Sequence, residues 1–343
     1  MATSWAQLAE RGRGPQAVDT WLRGAGQVMF QNNPLTGLLF LAGIYWGASL
    51  WVAVAATAGL VVATATARQL VRVDTVSLRS GLYGFNGLLV GAGVATFVHG
   101  EGFLAAAYVT LGAVVSVYAM SALSAVLAAW RTPALTSPFV LVCCWMLLAA
   151  YGLSRLSISG LGPAVLPHVA APGTSAALLA PLFLLEAWLK GVGQVFLIGN
   201  AVTGVIFVVA LAVSSWRAAL FALLGSAVGM GTALAFGANR AAVGEGLYGF
   251  SAVLTAIAVG ATFYPSSVRT TGVALVAAVF TAIVQAGLDV ALQPLGIPTL
   301  TSPFVFVTWL FLLPHLQLAP VPHAPLTPVP HAPLAGPTVK GGT

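Results

Sequence analysis

Charge is what this chain has least of. Only 6% of its 343 residues are charged, against about 25% in a soluble domain. The acids are Glu10, Asp19, Asp74, Glu101, Glu186, Glu245 and Asp289 and no others. So little charge excludes a water-soluble surface. With 59% hydrophobic residues and a mean hydropathy of +0.97, the chain reads as an integral membrane protein. Cysteine is also scarce. Cys143 and Cys144 are neighbours in an apolar run. Adjacent cysteines rarely bridge, and metal sites need more ligands at wider spacing, so both are expected to be inert buried thiols. No His or Cys cluster and no nucleophile beside a base is present, which argues against an enzyme and against any cofactor or metal. The net charge of +6 could suggest nucleic acid. The bases are scattered singly, however, like loop-flanking anchors, and no nucleic-acid partner is expected. An early apolar core is missing too. Residues 1–23 are polar and carry Arg11, Arg13 and Arg23, so no cleavable signal peptide is expected and the first apolar stretch, from near Val28, stays as a span.

A membrane-crossing helix needs about 20 apolar residues. Gly24 to Ala67 carries no charge and is long enough for two spans with a turn near Tyr45 to Ser49. Further segments run 82–98, 103–130, 136–153, 195–213, 218–236, 247–264, 273–290 and 300–318. Segments 82–98 and 247–264 are short and glycine-rich. At matching places in two halves, such segments point to broken or re-entrant helices lining a site.

The strongest signal is an internal repeat. Asp19-Thr-Trp-Leu-Arg-Gly-Ala-Gly-Gln27 returns as Glu186-Ala-Trp-Leu-Lys-Gly-Val-Gly-Gln194, and Asn33-Pro-Leu-Thr-Gly37 as Asn200-Ala-Val-Thr-Gly204. Gly81-Leu-Tyr-Gly-Phe85 and Leu135-Thr-Ser-Pro-Phe-Val140 return unchanged as Gly246-Leu-Tyr-Gly-Phe250 and Leu300-Thr-Ser-Pro-Phe-Val305. The offset is 167 residues for the first two blocks (19 to 186) and 165 for the last two (81 to 246). The halves meet in the Gly/Pro-rich stretch 160–175. Five apolar segments per half is an odd number, so the second half enters from the opposite side. The expected fold is an all-α polytopic membrane protein of two inverted repeats, five transmembrane helices each, with a site between them. By the positive-inside rule, Arg11, Arg13 and Arg23 before the first span and Arg68, Arg72 and Arg79 after the second place the N-terminus in the cytoplasm. The divisions are residues 1–18 as an N-terminal segment, 19–165 and 166–318 as the repeats, and 319–343 as a tail.

The repeated blocks combine flat aromatic faces with neutral hydrogen-bonding groups. Such a slot suits a small, planar, uncharged solute and suits ions poorly, since fixed charges or carbonyl rings are lacking. With the Gly26-Gln27-Val28-Met29 and Gly193-Gln194-Val195-Phe196 stretches, the paired blocks resemble the urea transporter family of bacteria and vertebrates, over about residues 19–318. The resemblance implies urea as substrate, a homotrimer in the cell (inner) membrane, and in each protomer a pore between inverted halves of five spans plus a re-entrant helix. By motif it implies Phe85 with Leu89, and Phe250 with Leu254, as slot walls, completed by Phe30 and Leu197. It implies Thr136 and Thr301 as middle-site hydroxyls, and Gln27 and Gln194 as acceptors at the two mouths. One motif departs from the family's familiar Leu-Pro: Thr132-Pro133 and Ile297-Pro298 stand there, with the proline kept. The function expected is passive, channel-like urea transport. The alternatives are a channel for ammonia, short amides or water, or an ion-coupled transporter, though the latter would carry paired intramembrane acids.

Plainer roles stay open for several residues. The phenylalanines could be packing aromatics, the threonines could bond a carbonyl four residues back, and the glutamines could be interfacial helix ends. Asp19/Arg23 and Glu186/Lys190, at i,i+4, are expected to be surface ion pairs on an amphipathic helix. His99 and Glu101 fit a loop. Asp289 has no acidic counterpart, Ser124 being aligned with it, which favours a segment-end or interface role. The tail repeats Pro-Val-Pro-His-Ala-Pro-Leu and is expected to be extended or disordered. His323 and His331 on it make a poor metal site.

Overall fold

A computed structural model describes residues 5–10, 12–100, 102–162, 164–167 and 180–316. The Pro-rich tail, Glu101 and most of the expected junction at 160–175 lie outside the described residues. The chain is an all-α polytopic membrane protein. Its helices are α1 Trp5–Glu10, α2 Arg13–Gln27, α3 Pro34–Gly47, α4 Leu50–Thr66, α5 Thr75–Arg79, α6 Phe85–Phe97, α7 Gly102–Ala128, α8 Ser137–Gly152, α9 Pro181–Gly193, α10 Ala201–Ser214, α11 Trp216–Ala235, α12 Arg240–Gly244, α13 Phe250–Ile257, α14 Val268–Leu292 and α15 Ser302–Leu312. Helices α2 to α8 recur in order as α9 to α15. One small antiparallel pair, β1 Val98–Gly100 with β2 Leu156–Ile158, has no counterpart among the described residues. It makes the expected loop at His99 one strand of a short antiparallel pair whose partner lies beyond α8.

Local chemistry starts the helices at matching places. Asn33 accepts from the backbone N–H of Leu35 and Thr36, with Pro34 at the first helical position. Asn200 accepts from Thr203 N–H. Ser49 and Ser215 cap α4 and α11, and Asp74 and Asn239 cap α5 and α12. Each supplies an acceptor that the helix start lacks. The expected turn near Tyr45 to Ser49 is the break between α3 and α4. The spans expected to run unbroken through 28–33 and 195–200 are instead interrupted there. Amphipathic α2 ends at Gln27 before α3 begins, and the matching pair 181–196 and 201–214 is bent by 71°. The asparagine caps terminate one helix direction and start another, which hydropathy alone does not register.

Among the described residues four helices are long and apolar enough to cross a membrane, and a fifth if the bent pair counts as one. The remaining apolar helices are short. Helix α6 has 13 residues, about 20 Å at 1.5 Å per residue, against a hydrocarbon core of about 30 Å. It cannot cross alone. Phe85 to Ala95 are all buried, so α6 is enclosed by protein on every side, as half-length helices at membrane depth must be.

The halves meet reciprocally. Thr36 donates to the Ala210 carbonyl at 2.8 Å, and its counterpart Thr203 donates to the Gly43 carbonyl at 3.2 Å. Phe40 meets its own counterpart Phe207, ring centroids 5.2 Å apart at 76°, with Phe196 packed against both. Contacts of i with j and j with i define a two-fold interface. Hydrogen bonds between membrane helices contribute on average about 0.6 kcal/mol and at most about 1.7. The double variant Thr36→Val/Thr203→Val is therefore expected to cost about 1–3 kcal/mol and to lower the unfolding midpoint in detergent. An unchanged midpoint would mean that packing alone holds this seam.

Candidate functional site

The repeat extends to the backbone. Among the described residues, ten in the left-handed region fall in five matched pairs: Phe30 and Leu197 (φ 63° and 60°), Arg72 and Gly237 (54° and 73°), Gly81 and Gly246 (76° each), Arg131 and Gly296 (50° and 63°), and Leu135 and Leu300 (56° and 50°); Gly160 and His315 stand outside the pairs. For a residue with a Cβ this region costs about 1–2 kcal/mol. Four of the strained residues adjoin or belong to the expected site: Phe30, Leu197, Leu135 and Leu300. Strain of that kind persists only where surrounding structure holds it.

Thr136 and Thr301 meet directly. Their hydroxyl oxygens lie 2.7 Å apart, both residues buried, one from each half. Each stands at the N-cap of its helix, α8 or α15, yet neither side chain caps that helix. The neighbouring Ser137 and Ser302 hydroxyls instead donate back to the Ala134 and Thr299 carbonyls. The threonines are therefore not bonded to carbonyls four residues back, and their hydroxyls face each other. One hydroxyl donates to the other. That leaves one O–H and several lone pairs unused, between two helix N-termini whose partial positive charge favours electron-rich atoms.

Gln27 and Gln194 do not meet. Gln27 Nε2 donates to the Ser80 carbonyl at 2.8 Å, and Gln194 Nε2 donates to the Glu245 carbonyl at 2.8 Å. Each amide is thereby turned by the residue preceding Gly81 or Gly246. Those glycines press on the helix carrying the glutamine: a Cβ on Gly81 would overlap the Gly24 backbone nitrogen, and one on Gly246 would come 2.5 Å from that of Gly191. Two repeated blocks thus lock together within each half.

Leu89 and Leu254 are wholly enclosed, whereas Phe85 and Phe250 keep 6% and 8% of their surface. Phe30 reaches into the second half, edge-on to Phe263 at 5.6 Å and to Phe304 at 6.0 Å. Leu197 is half-buried against the core.

Asn86 belongs to the site as well, though its residue type alone does not nominate it. Its Oδ1 accepts the Phe139 N–H at 3.2 Å and its Nδ2 donates to the Leu135 carbonyl at 3.4 Å. It therefore braces the strained residue before Thr136. The one signal in the sequence is its place one residue after the repeated Phe85. Ser251, the matched residue, has a buried hydroxyl with no partner among the described residues, so the brace is one-sided.

Charge stays at the margins. Arg23 pairs with Asp19 at 2.6 Å as expected. The expected Glu186–Lys190 pair does not form, because Lys190 reaches across to Glu245 at 3.0 Å, which the chain turn before Gly246 brings alongside. Asp289, in the last turn of α14, accepts from Gln285 at 2.9 Å, a segment-end place. Cys143 and Cys144 are free. Among the described residues no cluster of three or more His, Cys, Asp or Glu could hold a metal.

A family model described as urea transporter matches residues 18–316. Urea transporter 1 of Ovis aries is 32% identical over 321 residues, covering 92% of this chain and 82% of the relative. Urea transporter 1 of Rattus norvegicus is 33% identical and that of Mus musculus 34%, each over 300 residues, 87% of this chain and 77% of the relative.

Proposed function

The chain belongs to the urea transporter family, and from that premise we propose that it conducts urea passively along a path between two inverted halves, with the Thr136–Thr301 pair at its middle. The observation that carries this reading is the hydroxyl pair itself, contributed equally by both halves at 2.7 Å. Urea is flat and neutral, with N–H donors along two edges and one carbonyl. Entering a narrow apolar passage strips part of its hydration, which costs free energy unless polar groups replace the water. The threonine lone pairs accept from its amides, and the free O–H donates to its carbonyl. Phe85 with Leu89 and Phe30, and Phe250 with Leu254 and Leu197, form apolar faces on either side. Gln27 and Gln194, their amides already engaged, offer Oε1 to arriving N–H groups at the two mouths. An ammonium ion would lose its hydration with no fixed negative charge to replace it. The repeats are residues 19–165 and 166–318, each of five spans plus a re-entrant helix, α6 or α13. The N-terminal segment 1–18 lies in the cytoplasm, and three protomers assemble in the cell membrane.

Passive conduction has a direct test. Urea is expected to equilibrate across proteoliposomes to the same internal level with or without an imposed pH or sodium gradient. Accumulation above the external concentration under either gradient would overturn the channel reading. Comparing urea with acetamide, ammonia and water in the same vesicles tests the solute.

A further inference from the structure

One feature of the fold has no part in the path. A cavity of about 490 Å³ opens between α2, the end of α4 and α5, and Arg68, Arg72 and Arg79 all line it, with Gln69, Thr75 and Trp21. We propose that this cavity binds a phosphate-bearing anion, either the headgroup of an anionic phospholipid or soluble phosphate.

Three observations carry the proposal. The first is uncompensated charge. The three arginines are exposed and form no ion pair with a described carboxylate. The acid nearest in sequence, Asp74, has a carboxylate oxygen engaged by the Ser77 N–H at 2.8 Å.

The second is one-sidedness. At the offset of 165 residues, Arg68, Arg72 and Arg79 correspond to Ala233, Gly237 and Gly244. The repeat therefore does without cations at these three positions; the one base of the matching stretch in the second half, Arg240 of α12, stands elsewhere, over the Phe183 ring at 5.0 Å. A single base in the last turn would suffice to complement the dipole of α4, and Arg68 already occupies that place.

The third is backbone geometry. Helix α4 widens into a π-turn at Ala67–Val71, and Arg72 follows in the left-handed region at φ 54°. Its counterpart there is glycine, which bears that conformation without strain. The first half accepts the strain at arginine, and Arg72 lines the same cavity as Arg68 and Arg79.

Guanidinium groups present planar donor forks that match phosphate oxygens. The Thr75 hydroxyl and Gln69 amide add neutral donors. The volume suits a small ligand or headgroup. The arginines stand at the end of the membrane-length helix that α4 begins, Leu50–Val71, where basic pockets take anionic headgroups, and Trp21 of α2 adds an aromatic wall.

The experiment uses the purified full chain in detergent. Its thermal midpoint is measured with short-chain phosphatidylglycerol, short-chain phosphatidylcholine, or inorganic phosphate at matched ionic strength. The wild type is expected to gain several degrees with phosphatidylglycerol and none with phosphatidylcholine. A gain with inorganic phosphate as well identifies the phosphate group as sufficient, and a gain with phosphatidylglycerol alone identifies the lipid. The triple variant Arg68→Gln/Arg72→Gly/Arg79→Gln is expected to lose the gain while keeping its urea flux. Arg269→Gln, at the exposed start of α14, is expected to retain it. Single Arg68→Gln and Arg79→Gln variants, each expected to lose part of the gain, keep the test readable should the triple fail to fold. No gain in the wild type with either anion, or equal gains in the wild type and the arginine variants, overturns the proposal.

Discussion

Replacing both Thr136 and Thr301 by valine is expected to lower urea flux in proteoliposomes by about 10- to 100-fold, and replacing either one by about tenfold or less. Valine keeps the volume and removes the hydroxyl. A hydrogen bond contributes about 0.5–1.5 kcal/mol net, and each 1.36 kcal/mol is tenfold in rate. Losing two partners for a partly dehydrated solute therefore amounts to one to two powers of ten. The double serine variant keeps both hydroxyls and is expected to conduct within a few-fold of the wild type. The fold is expected to tolerate these changes, because neither hydroxyl caps its helix and the hydrogen bond they share is with each other. Flux measured as vesicle shrinkage or isotope uptake, on samples of matched elution profile, checks this. A valine double variant within twofold of the wild type would remove the threonines from the path.

The largest effect on folding is expected at Gly37 and Gly204, the last residues of the repeated Asn-Pro-Leu-Thr-Gly and Asn-Ala-Val-Thr-Gly blocks. A Cβ at Gly37 would overlap the Leu22 carbonyl oxygen, and one at Gly204 the Leu189 carbonyl oxygen. Both obstacles are backbone, so no side chain can swing aside. Overpacking costs about 1–3 kcal/mol where neighbours can give. Here whole helices, α2 against α3 and α9 against α10, must part. The cost is expected to exceed that range and to take most of a stability of about 5–15 kcal/mol. Gly37→Ala and Gly204→Ala should each remove the monodisperse peak from detergent extracts. Gly231→Ala, in α11 where an added Cβ meets nothing within 4 Å, should leave it intact. A wild-type yield of Gly37→Ala would mean that the helices can separate at little cost.

Much of the fold is legible in the residue types themselves. Charge scarcity identifies the membrane class, and four ordered blocks identify the repeat, because both depend on composition and order alone. The breaks after Gln27 and Gln194 are less legible. Hydropathy continues across them, and only the asparagine caps with the left-handed Phe30 and Leu197 end one helix and begin the next. The Lys190–Glu245 pair illustrates the same limit. Spacing i,i+4 nominates Glu186, but the turn before Gly246 carries a carboxylate to the lysine from 55 residues away.

Taken alone, the sequence determined that residues 136 and 301, or 27 and 194, are equivalent. It could not determine which equivalent residues touch. In a molecule with two similar halves, a residue on the two-fold axis meets its own copy, and a residue off the axis meets something else. The position of that axis depends on how α3 packs on α10 and how the short helices fill the space between. Tertiary structure put Thr136 against Thr301 and Phe40 against Phe207. It left Gln27 and Gln194 apart, each tied to a carbonyl of its own half.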